Sequence, residues 1–571
     1  METIGISNIP YSSDKTKNQI YLSGNFEKIG NHLFWFNHSL YENNKTIKEY
    51  YDEFNNSELD FLNHRNGDFL LIDLDFEKKV ITVATDRLGK DYCFIYNCNN
   101  KFVLSNNFWL TTNILKPSHN DIDWIAVKRL IINNSMLFRR TYIKDLYIIE
   151  PASLYKFDME NGKLINKYKY WEIKYKEDKS LTISDAVEKL DSIFDNTFKT
   201  LSQKFNSQTL FGVGLSGGLD TRIIVNYALK NHLKIVPYCI GQKYLIKPFK
   251  TYGYYVAEWV AKFFNLNNFV FIDYNSEKFS EKLVREICLY PEKSSNIEIG
   301  CYNELPNFDI MLNGEHGGVF FGEFPWEPIL NYNINNLSEY LIRFLAFYPS
   351  IEMIMDNDEI QNLKNEIQNY IDSFETEDLT EVVYKYFFEA LGSGTKRGFF
   401  ETNYYTKERY SPYLDSNFID FYLTWNSKFR LNRFLQREFF VRKLRKLSKI
   451  PDEVSDAPLY WRTSNIKHLP VRIFFATLNK YWGKSLQINK WIQKDQTFIN
   501  IYKSVINLNK DLIGEHFPNF KEDLFLQNNP RAASSFVKVI IVIDTILNTN
   551  ANEKKISEFI SNKYIQSLSI F

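Results

Sequence analysis

Short apolar runs that alternate with polar residues follow one another through the first part of the chain. They include Gln19–Leu22, His32–Phe36, Phe69–Leu74 and Val80–Thr85, and tight-turn signals such as Asn66-Gly67 separate them. Runs of this length and period are typical of strands whose side chains point alternately to two faces. The pattern predicts a β-rich front domain, built as a sheet or a sandwich.

The pattern changes in the middle of the chain. An amphipathic helix is predicted over Thr182–Leu201, and buried strands at Leu210–Leu215, Lys234–Gly241 and Phe269–Asp273 then alternate with helical segments. Alternation of strand and helix is typical of a parallel, doubly wound α/β sheet, which binds ligands at the carboxyl ends of its strands. Beyond residue 470 the apolar spacing is helical again, and we find no motif there.

A Gly-rich turn joins the strand Leu210–Leu215 to its helix, which we expect to run from about Thr221 to Lys230. The positions that could touch a nucleotide in this turn are Leu215, Ser216, Gly217, Gly218, Asp220 and Thr221. Glycines let backbone N–H groups approach a phosphate, and the helix N-terminus adds a favourable dipole. Asp220 would repel a phosphate directly, but it fits if a Mg²⁺ ion lies between them. The alternative is an ordinary tight strand-to-helix turn.

Composition excludes some classes of partner. Among the 571 residues, 69 Lys and Arg balance 69 Asp and Glu, so a nucleic acid or an anionic membrane is not expected as the main partner. No apolar run is long enough to span a bilayer, and the first residues lack the pattern of a signal peptide. Five scattered cysteines without a CxxC pair favour a reducing compartment, so we expect a cytoplasmic protein.

The loop Ser216–Thr221 resembles the pyrophosphate-binding loop (PP-loop) Ser-Gly-Gly-x-Asp-Ser of the ATP pyrophosphatase family, with Thr221 in place of the last serine. Within that family the chain is most similar to asparagine synthetase and its relatives, the β-lactam synthetases and lasso-peptide cyclases. Those enzymes activate a carboxylate as its adenylate and release pyrophosphate. The resemblance implies that ATP and Mg²⁺ bind at this loop, with Asp220 as the metal ligand and the backbone near Ile240 lining the adenine pocket.

The front of the chain resembles the glutaminase domain of the same family. The passages Gly67–Asp73, Ala84–Tyr92 and Leu104-Ser-Asn106 carry this likeness. In the family a cysteine directly after the initiator Met is the nucleophile. Here that position is Glu2, and the first cysteine is Cys93. We therefore expect the domain to be an inactive scaffold that does not hydrolyse glutamine.

A second segment of the family is matched only in part. Asn313–Gly322 resembles Ser-Gly-Glu-Gly-x-Asp-Glu-x-x-x-Gly, and it keeps Gly314 and Glu315 beside the expected nucleotide. The Asp-Glu pair, whose Asp is the family's second metal ligand, is replaced by Gly318-Val319. His316 could be a ligand or a general base here, or a plain loop histidine.

The family's cation for the acyl-adenylate is also displaced. Glu408–Asp415 and Ile450–Val454 resemble family signatures, but Asp456-Ala-Pro458 stands where the family carries Arg-x-Lys. Arg462 or Lys467 could supply the positive charge that stabilises the developing negative charge, or each could be a surface charge.

The resemblance thus implies three parts. They are an Ntn-hydrolase-like β-sandwich of α+β type over 1–170, a doubly wound ATP-pyrophosphatase (adenine nucleotide α-hydrolase-like) domain over 180–470 and a helical C-terminal extension over 471–571. We expect an AMP-forming carbon–nitrogen ligase that joins a small-molecule or peptide carboxylate to an amine without glutamine. The alternative is a degenerate nucleotide-binding or scaffold protein of a biosynthetic complex. A homodimer is left open.

Overall fold

The structure is a computed structural model. It describes residues 4–7, 19–22, 27–38, 45–98, 101–133, 136–241, 243–246, 249–273, 279–289, 291, 305–314, 316–321, 332–344, 350–390, 408–451, 492–493, 495–549 and 553–565.

Within these residues the N-terminal part contains two antiparallel sheets. One has the strand order β2-β1-β8-β7-β9 and the other β11-β10-β6-β5-β4-β3. The strands are β1 (Ile4–Ser7), β2 (Gln19–Leu22), β3 (Glu27–Ile29), β4 (His32–His38), β5 (Phe69–Asp75), β6 (Val80–Thr85), β7 (Phe94–Cys98), β8 (Lys101–Ser105), β9 (Leu146–Ile148), β10 (Ser153–Asp158) and β11 (Leu164–Lys169).

Both sheets are covered on two faces, which gives a layered sandwich. In β5 every residue is buried, because Leu70 and Ile72 face the other sheet whereas Phe69 and Leu71 face the helices α1 (Ile47–Asn56) and α2 (Glu58–Asn63). The outer face of the first sheet is covered by α3 (Phe108–Leu115), and α4 (Trp124–Asn133) belongs to the same apolar cluster. The predicted antiparallel front region is therefore present.

The hairpin that joins β10 to β11 turns at Asn161-Gly162. Gly162 has φ +72°, and a Cβ there would lie 2.2 Å from the Phe102 ring, so no larger side chain fits this turn.

The middle part contains a five-stranded sheet among the described residues, in which neighbouring strands run parallel. Its order is β16-β13-β12-β17-β18. The strands are β12 (Leu210–Gly214), β13 (Lys234–Gly241), β16 (Val270–Asp273), β17 (Ile310–Leu312) and β18 (Glu408–Tyr410), and a separate hairpin is formed by β14 (Tyr244–Ile246) and β15 (Phe249–Lys250). The helices among them are α5 (Ile183–Lys204), α6 (Leu219–Lys230), α7 (Tyr252–Phe263), α8 (Phe279–Leu289) and α9 (Gly317–Phe320).

Later helices complete this α/β part and the C-terminal region. They are Leu337–Leu341, Ile351–Ile354, Asn357–Asp372, Leu379–Lys385, Ser416–Tyr422, Ser427–Arg430, Phe434–Lys443, Gln496–Leu508, Lys510–His516, Glu522–Asn528, Pro530–Asn548 and Glu553–Ile560. The helix Pro530–Asn548 is buried on all sides from Ala532 to Ile546. It packs against α4, α8 and the helices Gln496–Leu508 and Glu522–Asn528. Residues 474–482, within the expected helical C-terminal extension, lie outside the described residues.

Polar contacts join the front part to the rest of the chain. Arg87 donates to Asp420 with an Nη1–Oδ1 distance of 3.0 Å, and the Trp109 indole donates to the Ile287 carbonyl at 2.8 Å. Among the described residues, no helix combines the length and the apolar character needed to cross a membrane.

Candidate functional site

The expected nucleotide loop lies where the parallel sheet changes direction. After β12 the chain adds β13 and β16 on one side, and it then crosses to add β17 and β18 on the other. The loops that follow β12 and β17 are thus side by side at the carboxyl edge, because the two strands are parallel neighbours with Val213 opposite Leu312. Such a switch point is where open α/β sheets bind ligands.

The turn itself requires a glycine at position 217. Gly217 has φ +84°, and a Cβ there would lie 3.0 Å from Val256 Cγ1 and 3.3 Å from the Ala257 nitrogen on α7. A side chain would therefore be strained and crowded. Ser216 is exposed at the turn, Gly218 is the N-cap, and α6 begins at Leu219, two residues before the predicted Thr221.

A buried arginine stabilises this turn. Arg222 is fully buried in the first turn of α6, and its guanidinium donates to the Gly217 carbonyl at 2.6 Å. It also donates to the carbonyl of Ile450 at 3.0 Å and to that of Pro451 at 2.5 Å. One side chain thus ties the turn to a segment more than 220 residues away.

Asp220 is enclosed by three other elements. Its Oδ1 accepts a hydrogen bond of 2.6 Å from the side-chain amide of the fully buried Gln436, and its carbonyl accepts one of 2.9 Å from the Tyr413 hydroxyl. A Cβ on Gly314 would lie 3.1 Å from Asp220 Cβ, and one on Gly317 would lie 2.5 Å from Asp220 Cγ. The loop after β17 therefore approaches the Asp220 side chain so closely that glycines are needed there.

Burial is the main influence on the pKa of Tyr413, which lies beneath the loop. Tyr413 has no exposed surface, and its burial, followed by the negative charge of Asp220, raises the pKa of its phenol well above the ordinary value. The hydroxyl therefore stays protonated and serves as a donor to the Asp220 carbonyl.

His316 lies on the facing loop in a left-handed conformation. It has φ +63° and is the N-cap of the four-residue helix α9, and its carbonyl accepts from the Phe320 N–H at 2.9 Å. Its half-buried ring stacks on Phe388 with centroids 6.0 Å apart and planes at 19°. Packing on an aromatic ring accounts for the position of this imidazole, and a chemical role for it stays a prediction.

Other predicted positions fall around this centre or outside it. Leu215 is buried and its N–H donates to the Tyr238 carbonyl at 2.6 Å, and Thr221 Oγ1 donates to the Gly218 carbonyl at 3.2 Å. Ile240, half-buried at the end of β13, belongs to an apolar cluster with Tyr238, Ile272, Met311 and Phe308. Glu315, Arg462 and Lys467 lie outside the described residues.

Three residues that hold the site were missed by the sequence-based prediction. Arg222 and Gln436 are polar residues on helix faces that are otherwise buried, and this conflict with the apolar pattern was the available signal. Tyr413 lies inside the segment Glu408–Asp415, and its apolar neighbours gave no sign that its hydroxyl would reach Asp220.

Asp415, in the same segment, is structural. It caps the helix Ser416–Tyr422 by accepting from the Asn417 N–H at 2.8 Å, and its Oδ2 accepts from the Thr197 hydroxyl at 3.2 Å. A role in holding the start of the helix Ser416–Tyr422 against α5 accounts for this carboxylate.

Comparisons with known proteins do not assign the chain to a family. No known protein family matches the chain, and no curated protein does. Among solved structures, the chain is similar to the glutamine phosphoribosylpyrophosphate amidotransferase from B. subtilis complexed with ADP and GMP. The identity is 9%, over 61% of this chain and 73% of that chain, with a TM-score of 0.16. A score this low does not establish a common fold.

Proposed function

We propose that the chain is an AMP-forming ligase of the asparagine synthetase type, which binds ATP at Ser216–Thr221 and joins a carboxylate to an amine. The observation that carries the proposal is the position of this turn, between neighbouring parallel strands at the switch point of the sheet. The left-handed Gly217, the exposed Ser216 and the N-terminus of the 12-residue helix α6 are the features that a phosphate chain requires.

The residues at the turn fit a nucleotide with one Mg²⁺ ion. Asp220 lies in the first turn of α6, next to the exposed Ser216, and its carboxylate supplies oxygen ligands of the kind that Mg²⁺ prefers, so it can hold a cation against phosphate oxygens. The cation, when bound, would neutralise charge on the phosphates. The chain itself contributes the backbone amides of the turn and the positioning of the two reactants.

Glutamine is not the proposed source of nitrogen. Cys93, the first cysteine of the chain, is fully buried, in the cluster between the two sheets of the front part, where no substrate reaches its thiol. The amine would then be free ammonia, a group on the same substrate or a second substrate. Incubation with glutamine and ATP should release no glutamate, and stoichiometric glutamate would contradict this part of the proposal.

The decisive experiment is ATP–pyrophosphate exchange across a panel of carboxylates. We expect exchange with at least one carboxylate, and a loss of more than about a hundredfold in Asp220→Ala, since a metal supplies several kcal/mol of charge stabilisation. Glu352→Gln, at an exposed position on another helix, is the matched control and should keep full activity. Equal exchange in Asp220→Ala and in the control would refute the role of the loop.

A second candidate is a protein that binds the nucleotide without turning it over. The observation that favours it is the hydrogen bond from the Gln436 amide to Asp220, together with Gly318 at the place of the family's second metal ligand. Calorimetry separates the two, because this candidate predicts uptake of MgATP with no exchange for any carboxylate. The absence of both uptake and exchange would leave only a scaffold.

A further inference from the structure

Three metal-binding side chains meet far from the nucleotide loop in sequence. His119 lies in the short turn His119–Asp121 that precedes α4, and Glu515 and His516 end the helix Lys510–His516. Their ligand atoms lie within 4.8 Å of one another. The cluster therefore joins the segment after the front sheets to the C-terminal helices.

Two distances in this cluster match a tetrahedral metal better than they match hydrogen bonds. His119 Nε2 and His516 Nε2 are 3.4 Å apart, and His516 Nε2 is 3.5 Å from Glu515 Oε1. Hydrogen bonds between such atoms are normally about 2.7–3.2 Å long. Ligands about 2.0–2.2 Å from a tetrahedral Zn²⁺ ion are about 3.3–3.5 Å from each other. Two of the three edges of the cluster thus have the length that a shared ion requires.

Packing already fixes one of the three ligands. The His516 ring stacks on Trp124 with centroids 3.6 Å apart and planes at 13°, and Trp124 also makes an edge contact with Phe517. His516 therefore keeps its orientation without an ion. A ligand held in advance loses less rotational freedom when a metal binds.

We propose that His119, Glu515 and His516 bind one Zn²⁺ ion, with solvent water as the fourth ligand. Two imidazoles and one carboxylate are a donor set that suits zinc, whereas Mg²⁺ prefers oxygen ligands alone. The ion fastens the turn before α4 to the helix Lys510–His516, so its role is to hold the C-terminal helices on the front part. This role is independent of the nucleotide loop.

The test uses the full chain after removal of metal with EDTA. Titration with ZnCl₂ should show one equivalent bound and a rise in the melting temperature, and MgCl₂ should produce neither. His119→Ala and His516→Ala should each weaken zinc binding by more than about tenfold and abolish the zinc-dependent rise, because each removes a direct ligand. His64→Ala, which removes an exposed histidine elsewhere, should behave as the unaltered chain.

Two further measurements keep the outcome clear. His119→Gln preserves a polar side chain at the same position, so folded protein without the zinc response would separate loss of the ion from loss of structure. Replacing zinc by Co²⁺ should give a tetrahedral spectrum without thiolate bands, which excludes the five cysteines as ligands. Unchanged zinc affinity in both His119 variants, or no binding by the unaltered chain, would overturn the site.

Discussion

A single isosteric substitution tests whether Asp220 is poised to hold a cation. Gln436→Glu replaces the amide that donates to Asp220 Oδ1 over 2.6 Å with a carboxylate of the same shape. Because position 436 is fully buried, the new charge cannot swing out into solvent. The variant therefore places two carboxyl groups in contact at the proposed metal position.

The size of the effect follows from the distance. Two unit charges about 3 Å apart repel each other by roughly 5 kcal/mol at an effective dielectric constant near 20. One of the two carboxyls will therefore keep its proton in the folded chain, so its folded pKa exceeds its unfolded pKa. Stability is then retained at low pH and lost as the pH rises, by up to about 1.4 kcal/mol per pH unit. The variant should be near normal at pH 5 and clearly destabilised at pH 8.

The response of the melting temperature to Mg²⁺ tests whether the site can hold a cation. If the site can take a cation, millimolar MgCl₂ at pH 8 should restore the melting temperature of Gln436→Glu, because two adjacent carboxylates bind Mg²⁺ better than one. Gln436→Met, an apolar replacement of similar length, should lose about 1.5–3 kcal/mol for the missing hydrogen bond to a charged group and should not respond to Mg²⁺.

A second Gln→Glu substitution is the control, and two results would contradict the reasoning. Gln361→Glu introduces the same change at an exposed position of the helix Asn357–Asp372 and should show neither the pH effect nor the rescue. If Gln436→Glu behaves like this control, the two side chains are not in contact and the site is built differently. A pH effect that Mg²⁺ leaves untouched would mean that Asp220 does not face a cation, which contradicts the proposed ligase.

Three further predictions concern other parts of the chain. Gly217→Ala should lower MgATP affinity more than tenfold in calorimetry and should destabilise the chain by about 1–3 kcal/mol, because of its positive φ and the contact with Val256. Burial raises the pKa of Asp86 to about 7, so its stabilising contribution relative to Asp86→Asn should fall by about 1.4 kcal/mol per unit between pH 5 and pH 7 in denaturant titrations; a constant difference would contradict this. Lys538→Met should cost about 3–5 kcal/mol by leaving the buried Glu286 carboxylate without the ammonium group that lies 3.7 Å away, and adding Glu286→Leu should recover most of it; no recovery would mean that the pair is not the cause.

Local patterns in the sequence were sufficient for most strands and helices. The strands Gln19–Leu22, Val80–Thr85 and Lys234–Gly241 have the predicted bounds. Other elements differ by a few residues at their ends; for example, the third parallel strand begins at Val270 rather than Phe269. Apolar period and turn residues are local signals, so they locate elements well and their ends less well.

The contacts of Asp220 could not be obtained in the same way. Its hydrogen-bond donors, Gln436 and Tyr413, come from segments about 200 residues later, and nothing in their local spacing says that they meet. Arg222 and Gln436 are two of the polar residues that interrupt buried helix faces, and both contact the site. A polar side chain stays in such a position only when a partner compensates for its burial. It therefore indicates a long-range contact, although the sequence does not identify the partner residue.

The same contacts bear on how the chain must be assembled. The turn at Gly217 is held by an arginine that also binds the carbonyls of Ile450 and Pro451, and Asp220 is held by the helix Phe434–Lys443. A fragment that ends before residue 430 would retain the strand, the glycines and the helix of the loop motif, but it would lack the groups that fix their conformation. Nucleotide binding should therefore depend on the segment 430–451 as strongly as on the loop itself, although the two share no motif.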